Sequence, residues 1–502
     1  MSAPEFQEQP AQPRAAGSAA WSFAGNLATK GLGLARTVVA AHMLGPSEFG
    51  KFALVAAALG ILDVATMPGL YDAIVRRDAD QNALRSAWTT MVVRGAILSV
   101  AIFVMAPTLA SLLGDKDAAS LLRWMALIPL LRSSLSLAPI LAWRRVDSRP
   151  WTVVQVVTQA VESLVVVGYL MWEPNALGLA IGAAAGQVGG LLASFAVAGF
   201  SPRLRFRLRE ARHLFAFAGW RFGSNLLTYT STRVDDILVG RFAGLTALGN
   251  YRLAYRLANL PATELTSPLS DVAFAYLSRE YRRSVEDARA SFLRYLRIVS
   301  GIALPASAFL AIFASWLIDD FFGTPWRAAV VPIQIMTVAG FVRAMLATGG
   351  SFFIAADRPH LDTVMQSLRA VSLLVALAFL LRYDAAGAAV ASLVSILVVL
   401  PIWIAGLRSM GVEARSVTWA VAASVPHTAV VAAVAALAAP LLAGLGARTL
   451  LIAVLYLVVA LATAPLVNRR LVDEIGSLLP GAIRDRLPGR LRGSPDPEPD
   501  TT

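Results

Sequence analysis

Of the 502 residues, 57% are apolar and only 15% charged, with a mean hydropathy of +0.63; a soluble domain carries about 25% charged residues, so the composition points away from a soluble enzyme. The net charge of +12, from 44 Lys+Arg against 32 Asp+Glu, would suggest a nucleic-acid partner in a soluble chain, but here the arginines fall in short gaps between apolar runs, which is how membrane topology is written. Cysteine is absent, which leaves no disulfide framework, no thiol nucleophile and no Cys-based metal site, and the four histidines (His42, His213, His360, His427) lie far apart in sequence.

A spanning helix needs roughly 20 apolar residues. Residues 1–18 are polar and rich in Pro, Gln and Ala, without the apolar core of a signal peptide, and read as a disordered cytoplasmic tail. Fourteen candidate spans follow, near 19–41, 50–74, 87–113, 119–142, 151–171, 176–199, 213–239, 246–275, 293–318, 328–355, 361–381, 385–406, 416–440 and 447–466. Alternate connections differ in charge. One set carries Arg76, Arg77 and Arg85, then Arg144, Arg145 and Arg149, the five arginines of 203–212, and Arg279, Arg282, Arg283 and Arg289. The other set holds single cations such as Lys51, Lys116, Arg241, Arg327, Arg382 and Arg448. The positive-inside rule then puts both termini in the cytoplasm. Residues 467–502 begin as an amphipathic, arginine-bearing segment suited to an anionic leaflet and end in a proline-rich acidic stretch.

A shift of 199 residues lays Trp21, Phe23, Asn26, Leu27 and Thr29 on Trp220, Phe222, Asn225, Leu226 and Thr228, and then Gly45, Gly50 and Leu54 on Gly244, Gly249 and Leu253. Six spans separate the copies. An even number makes the repeat parallel, related by an axis along the membrane normal. The expected fold is an all-α polytopic membrane protein of about 14 transmembrane helices. Two parallel six-helix lobes, 19–199 and 213–406, would be joined by a basic cytoplasmic linker at 200–212, with two further helices in 416–466.

Several spans carry polar residues at helical spacing: Asn26, Lys30, Gly33 and Thr37 in the first, Gln155, Gln159 and Glu162 in the fifth, Asn225, Thr228, Tyr229, Thr232, Arg233 and Asp236 in the seventh, Arg252, Arg256, Asn259 and Thr263 in the eighth; Arg36 and Asp235 lie in the first and seventh as well. Arg94, Arg132 and Arg343 also fall within spans. A charge at the bilayer centre costs roughly 2.5–3.5 kcal/mol even on the insertion scale, so these residues should face a shared interior rather than lipid. Each group has a plainer reading beside it: Arg233 and Asp236, three apart, neutralise each other; Arg252 and Arg256 snorkel to an interface; Glu162 partners an arginine instead of titrating; and His427 is a hydrogen-bonded helix residue. Cations outnumber anions among these positions, which suits a polyanion, and the arginine fork recognises phosphate and pyrophosphate well.

Leu44-Gly45-Pro46-Ser47-Glu48-Phe49-Gly50, between the first two spans, resembles the Leu-Gly-Pro-x-x-Phe-Gly turn of bacterial polysaccharide-unit flippases, the Wzx-type branch of the multidrug/oligosaccharidyl-lipid/polysaccharide exporter superfamily. The run from Arg233 through Asp235, Asp236, Gly240 and Gly244 to Gly249, Tyr251, Tyr255, Arg256, Asn259 and Pro261 is similar to that family's most recognisable stretch. Gly323-Thr324-Pro325-Trp326, and later Ala355-Ala356-Asp357-Arg358-Pro359, match its second-lobe pattern. The chain departs from the family at Met67-Pro68-Gly69-Leu70-Tyr71-Asp72, where an acidic residue often precedes Leu-Gly-Leu-Gly.

The resemblance implies twelve core helices in two lobes around a cationic cavity, and a non-enzymatic flippase that moves undecaprenyl-pyrophosphate-linked oligosaccharide across the bacterial cytoplasmic membrane by alternating access. On that reading Lys30, Arg36, Arg94, Arg132, Arg233, Arg252, Arg256, Arg343, Asn26 and Asn225 are candidates for binding the substrate. Glu162, Asp235 and Asp236 are candidates for pairing those cations or carrying a coupling ion, H+ or Na+. No cofactor, metal or nucleic acid is expected; membrane lipids and a polysaccharide polymerase or co-polymerase are the further partners. The rivals are a cation-coupled drug or metabolite exporter of the same fold, which would need an acid-rich cavity, and a peptidoglycan-precursor flippase, which differs only in cargo. A membrane glycan polymerase or ligase would need a sizeable outer loop, and the loops here are short.

Overall fold

A computed structural model describes residues 13–66, 81–144, 147–197, 233–260, 276–442 and 448–467, and among these all regular structure is helical. In hydrocarbon the backbone must satisfy its own hydrogen bonds, which a helix does within one segment. Eight helical stretches among the described residues are long and apolar enough to cross a membrane. The chain is a multi-pass membrane protein.

The chain divides into two compact units, Met1–Gly249 and Asn250–Thr502. In the first, α1 (Pro13–Met43) begins inside the stretch read as a disordered tail, where Ala15 and Ala16 favour helix. It is followed by α2 (Pro46–Thr66) and α3 (Gln81–Leu113). The expected span 119–142 is broken into α4 (Ala118–Met125), α5 (Leu127–Ser133) and α6 (Ala138–Arg144). Pro129 has no N–H to continue the ladder across the first break. Side chains replace the missing backbone bonds: Trp88 Nε1 donates to Leu135 O at 3.0 Å, and Ser99 Oγ and Ser194 Oγ accept from Leu130 N at 3.1 Å and Ser136 N at 3.0 Å.

Helices α7 (Arg149–Trp172) and α8 (Ala176–Ala196) form the most intimate pair of this unit. Gly178, Gly182, Gly186 and Gly190 recur every fourth residue along α8. A Cβ on Gly186 would lie 2.7 Å from Glu162 Cβ and 2.9 Å from Thr158 O, and one on Gly189 would lie 2.8 Å from Val161 Cγ2. Without a hydrophobic drive between helices in lipid, such small-residue seams let the backbones approach.

The sequence repeat has a counterpart in space. α9 (Leu245–Asn259) starts in the first unit and ends in the second. A Cβ on Gly50 would collide with the Leu245 carbonyl and lie 2.8 Å from Gly249 N; a Cβ on Gly249 would collide with the Pro46 carbonyl. Gly50 and Gly249 are repeat mates, and so are Pro46 and Leu245. Each contact is therefore the image of the other under the 199-residue shift.

In the second unit α10 (Val285–Ile312) is capped by Ser284, whose Oγ accepts from Asp287 N at 3.2 Å. Next come α11 (Val330–Ala355), α12 (Pro359–Leu380), α13 (Asp384–Leu397) and α14 (Leu400–Ser409). The core gathers Phe292, Phe352, Phe353, Met345 and Trp403, with Phe292 and Phe352 stacked at 4.7 Å between centroids. The span near 416–440 is divided into α15 (Ala414–Ala422) and α16 (Val425–Leu442), and α17 (Arg448–Val467) follows. α16 and α17 meet through Val431, Ala435, Ile452 and Tyr456, with Phe313 in the same cluster. His427 bonds the Ala460 carbonyl at 3.0 Å, in keeping with its plainer reading.

Connections that the charge alternation assigns to one side come together. Glu48 accepts from Ala176 N at 2.9 Å, capping α8 from another helix, and pairs with Lys51 at 3.1 Å, which in turn lies 3.9 Å from Asp115. In the second unit Arg448 pairs with Asp320 at 2.9 Å, and Arg327 with Asp319 at 2.9 Å. At the opposite connections Arg289 Nε donates to Met410 O at 2.6 Å and Arg358 to Ser409 Oγ at 2.8 Å.

Candidate functional site

In the first unit the glycine seam of α8 presses on α7 at Glu162. Glu162 carries an ion pair with Arg36 of α1, the two side chains being 15% (Arg36) and 17% (Glu162) exposed. At low exposure the pair holds mutually compensating charges rather than two separate sites. Asn26 and Lys30 occupy an exposed face of α1.

The second group lies where α2, α3 and the broken span meet. Arg94 makes four hydrogen bonds: Nη2 to Asp63 Oδ1 at 3.0 Å and to Ser133 Oγ at 2.9 Å, and Nη1 to Asp63 O at 3.1 Å and Thr66 Oγ1 at 2.8 Å. Its surroundings bind it as part of the scaffold. Arg132, on α5, stands 3.6 Å from the other oxygen of the same carboxylate, with 56% of its side chain exposed against 10% for Asp63. Gly95 enables this crossing: a Cβ there would lie 2.7 Å from Pro129 O and Ser133 Cβ. Sequence reasoning named both arginines and missed Asp63, although a lone acid in the apolar run Leu59–Ala65 was itself a signal.

Helical residues 233–238 continue into a π-helical turn, Val239–Ala243, that ends at Gly244 with φ +94°. A second π turn, Ile318–Phe322, ends the same way at Gly323 with φ +85°. Glycine takes this conformation without a Cβ penalty. Arg233 lies 3.5 Å from Asp236, whose side chain is wholly buried, and Asp235 is buried beside it. Asn225 falls outside the described residues.

In the second unit Gly340 brings α11 onto α9: a Cβ there would meet the Ala258 carbonyl. Three residues on, Arg343 stacks over Tyr255 at 5.1 Å and donates to Asn259 Oδ1. Arg252 approaches the same ring at 5.4 Å, and Asn259 Nδ2 donates to Tyr255 O at 2.7 Å. Tyr255 is thus contacted by two guanidiniums, an arrangement stabilised by cation–π attraction. Arg256 is half-buried in the last turn of α9. Behind Arg343 is a small cavity of about 90 Å³ bordered by Asp362, Gln366 and Arg369.

The structure therefore sorts the candidate residues into separate clusters within each unit: Arg36 with Glu162, Arg94 and Arg132 with Asp63, Arg233 with Asp236, and Arg252 and Arg343 with Tyr255 and Asn259. Among the described residues no group of three or more His, Asp or Glu is placed to hold a metal.

A family profile described as "Polysaccharide biosynthesis protein" matches residues 39–331. The chain is 22% identical over 347 residues to the lipopolysaccharide biosynthesis protein WzxC of Escherichia coli K12, covering 68% of this chain and 70% of that one. It is 26% identical over 260 residues to the succinoglycan biosynthesis transport protein ExoT of Rhizobium meliloti, covering 51% and 52%, and 30% identical over 161 residues to the teichuronic acid biosynthesis protein TuaB of Bacillus subtilis, covering 32% and 33%. The aligned part is about a third of the TuaB chain and half of ExoT. A structure of the lipid II flippase MurJ in an inward closed conformation superposes with a TM-score of 0.66 at 13% identity, over 90% of this chain and 99% of that one. An inward-facing multidrug resistance MATE transporter superposes at 0.56 and 15% identity, over 78% and 94%. At these identities the two likenesses establish the fold.

Proposed function

Since the chain belongs to the polysaccharide biosynthesis protein family, we propose that it is a flippase for lipid-linked oligosaccharide, carrying undecaprenyl-pyrophosphate-linked repeat units from the inner to the outer leaflet of the bacterial cytoplasmic membrane. The relatives named for lipopolysaccharide, succinoglycan and teichuronic acid biosynthesis support a glycan cargo. The observation that carries the reading is the set of arginines inside apolar spans, above all Arg132 and the Arg252–Tyr255–Arg343 stack. Guanidinium forks favour phosphate oxygens, and aromatic and amide groups such as Tyr255 and Asn259 suit sugar hydroxyls. A drug-cation exporter would require the opposite sign.

Transport needs no covalent step by the protein. The lobes alternate access while the polyprenyl chain stays in lipid, both termini remain cytoplasmic, and an H+ or Na+ gradient supplies the drive. The polymerase or co-polymerase that consumes flipped units is the natural neighbour. A clean deletion in the native host tests the proposal: exported polymer should vanish while complete polyprenyl-linked repeat units accumulate on the inner leaflet. Normal polymer with altered drug or metabolite sensitivity would overturn it in favour of the exporter reading.

A further inference from the structure

Two helices of the second unit turn polar side chains toward one small space. On α12, Asp362, Gln366 and Arg369 recur at i, i+4 and i+7 and so share a helical face. That face borders the cavity of about 90 Å³, together with Arg343 of α11 and with Ile396 and Val399 near the end of α13. Gly350 lets α11 come close to the carboxyl group: a Cβ there would lie 3.3 Å from Asp362 Oδ1. Gln366 hydrogen-bonds Asp362, and a carboxylate has acceptor sites beyond one such bond. From the rim of this cavity Arg343 reaches the Tyr255 ring at 5.1 Å and Asn259 Oδ1. The cavity therefore adjoins the arginine–tyrosine group that carries the cargo reading.

We propose that this cavity is a sugar subsite: it takes the hydroxyl-bearing edge of the hexose next to the pyrophosphate, with Asp362 accepting from a hydroxyl and Gln366 donating to a neighbouring oxygen. This rests on the flippase reading above. Phosphate oxygens only accept hydrogen bonds, and a carboxylate repels them. A sugar hydroxyl both donates and accepts, which a carboxylate and an amide one turn apart satisfy together. Ile396 and Val399 offer an apolar side to the C–H groups of the ring. At roughly 30 Å³ per water, the space holds about three waters. That is room for two or three substituents of one sugar, not for a chain of rings, so the subsite reads the first residue of the glycan. The same carboxylate disfavours a pyrophosphate without a sugar, and an unfilled polar site penalises a ligand that lacks the matching hydroxyls. Asp362 thereby selects a loaded lipid carrier over an empty one.

The test measures binding of three probes to the full-length protein in lipid nanodiscs: farnesyl pyrophosphate, and the same carrier bearing glucose or galactose on its pyrophosphate. At least one sugar-bearing probe should bind about tenfold more tightly than the bare carrier, the equivalent of ~1.4 kcal/mol. Asp362→Ala should abolish that gain, so that all three probes bind alike and the bare carrier no more weakly than to the wild type. Ala347→Leu adds bulk at the cavity wall without a change of charge; it too should abolish the gain, and it stands even if Asp362→Ala fails to fold. A residue that only supports the fold would weaken the three probes together. No gain from either sugar in the wild type, a gain that survives either variant, or equal weakening of all three probes would overturn the inference alone. Failure of the wild-type protein to bind any of the probes would overturn the proposed cargo chemistry and the inference together.

Discussion

Glu162 poses a choice between structural partner and coupling acid, and one pair of substitutions decides it. The carboxylate pairs with Arg36, and both side chains are more than four-fifths buried. Glu162→Gln leaves the guanidinium charged among α1, α7 and α8. Breaking one side of a buried pair costs ~3–5 kcal/mol. The expected loss is of that size, about 3–5 kcal/mol. Replacing both members, Arg36→Met with Glu162→Gln, removes the orphaned charge, and such replacements of buried pairs are often neutral or stabilising. The assay is thermal unfolding of purified protein in detergent, with export in cells measured alongside. The midpoint should fall clearly for Glu162→Gln and recover in the double variant. A Glu162→Gln protein with unchanged midpoint and abolished export would refute the pairing argument and mark Glu162 as the coupling acid.

Four further outcomes follow from the packing and the site. Gly186→Ala should destabilise the protein by at least 1 kcal/mol, in the range of overpacking, because its Cβ meets Glu162 and the Thr158 carbonyl, whereas Gly168→Ala, inside the same helix pair with nothing within 4 Å, should hold or raise the unfolding midpoint. Gly249→Val should greatly reduce folded protein in the membrane, measured by monodisperse elution, since even a methyl group collides with the Pro46 carbonyl. Asp320→Ala removes acceptors for Thr449 N, Thr449 Oγ1 (2.5 Å) and Arg448 Nε at the start of α17; loss of such a cap costs about 0.5–2 kcal/mol, and faster proteolysis of 448–467 would reveal it. Arg343→Lys keeps the charge but loses the guanidinium over the Tyr255 ring and its Nη1 hydrogen bond to Asn259 Oδ1; export should fall several-fold at normal protein abundance, and full export would remove that contact from the cargo site.

Membrane residence, helical class, the alternation of cationic and cation-poor connections, and the parallel repeat were all legible in the linear sequence. They depend on composition and on periods that lipid imposes on any chain: apolar runs of spanning length, arginines between them, and two tryptophans and two asparagines in one register. The Gly50–Gly249 crossing gives that register a spatial meaning, since only glycine at both repeat mates admits the two backbones.

The pairing of charges belonged to the tertiary structure. Sequence spacing places residues on a helix face but not the helix that faces them. Arg36 and Glu162 are 126 residues apart and meet because the glycines of α8 hold α7 in place, while Arg94 and Arg132 meet at Asp63 only because a span that looks continuous is broken at Ala126 and again after Ser133. Side-chain hydrogen bonds from other helices, such as Trp88 to the Leu135 carbonyl, stabilise that break. Local propensity is insensitive to partners so distant in the chain, so the sequence identified where charge enters the membrane, and the packing decided which charges meet there.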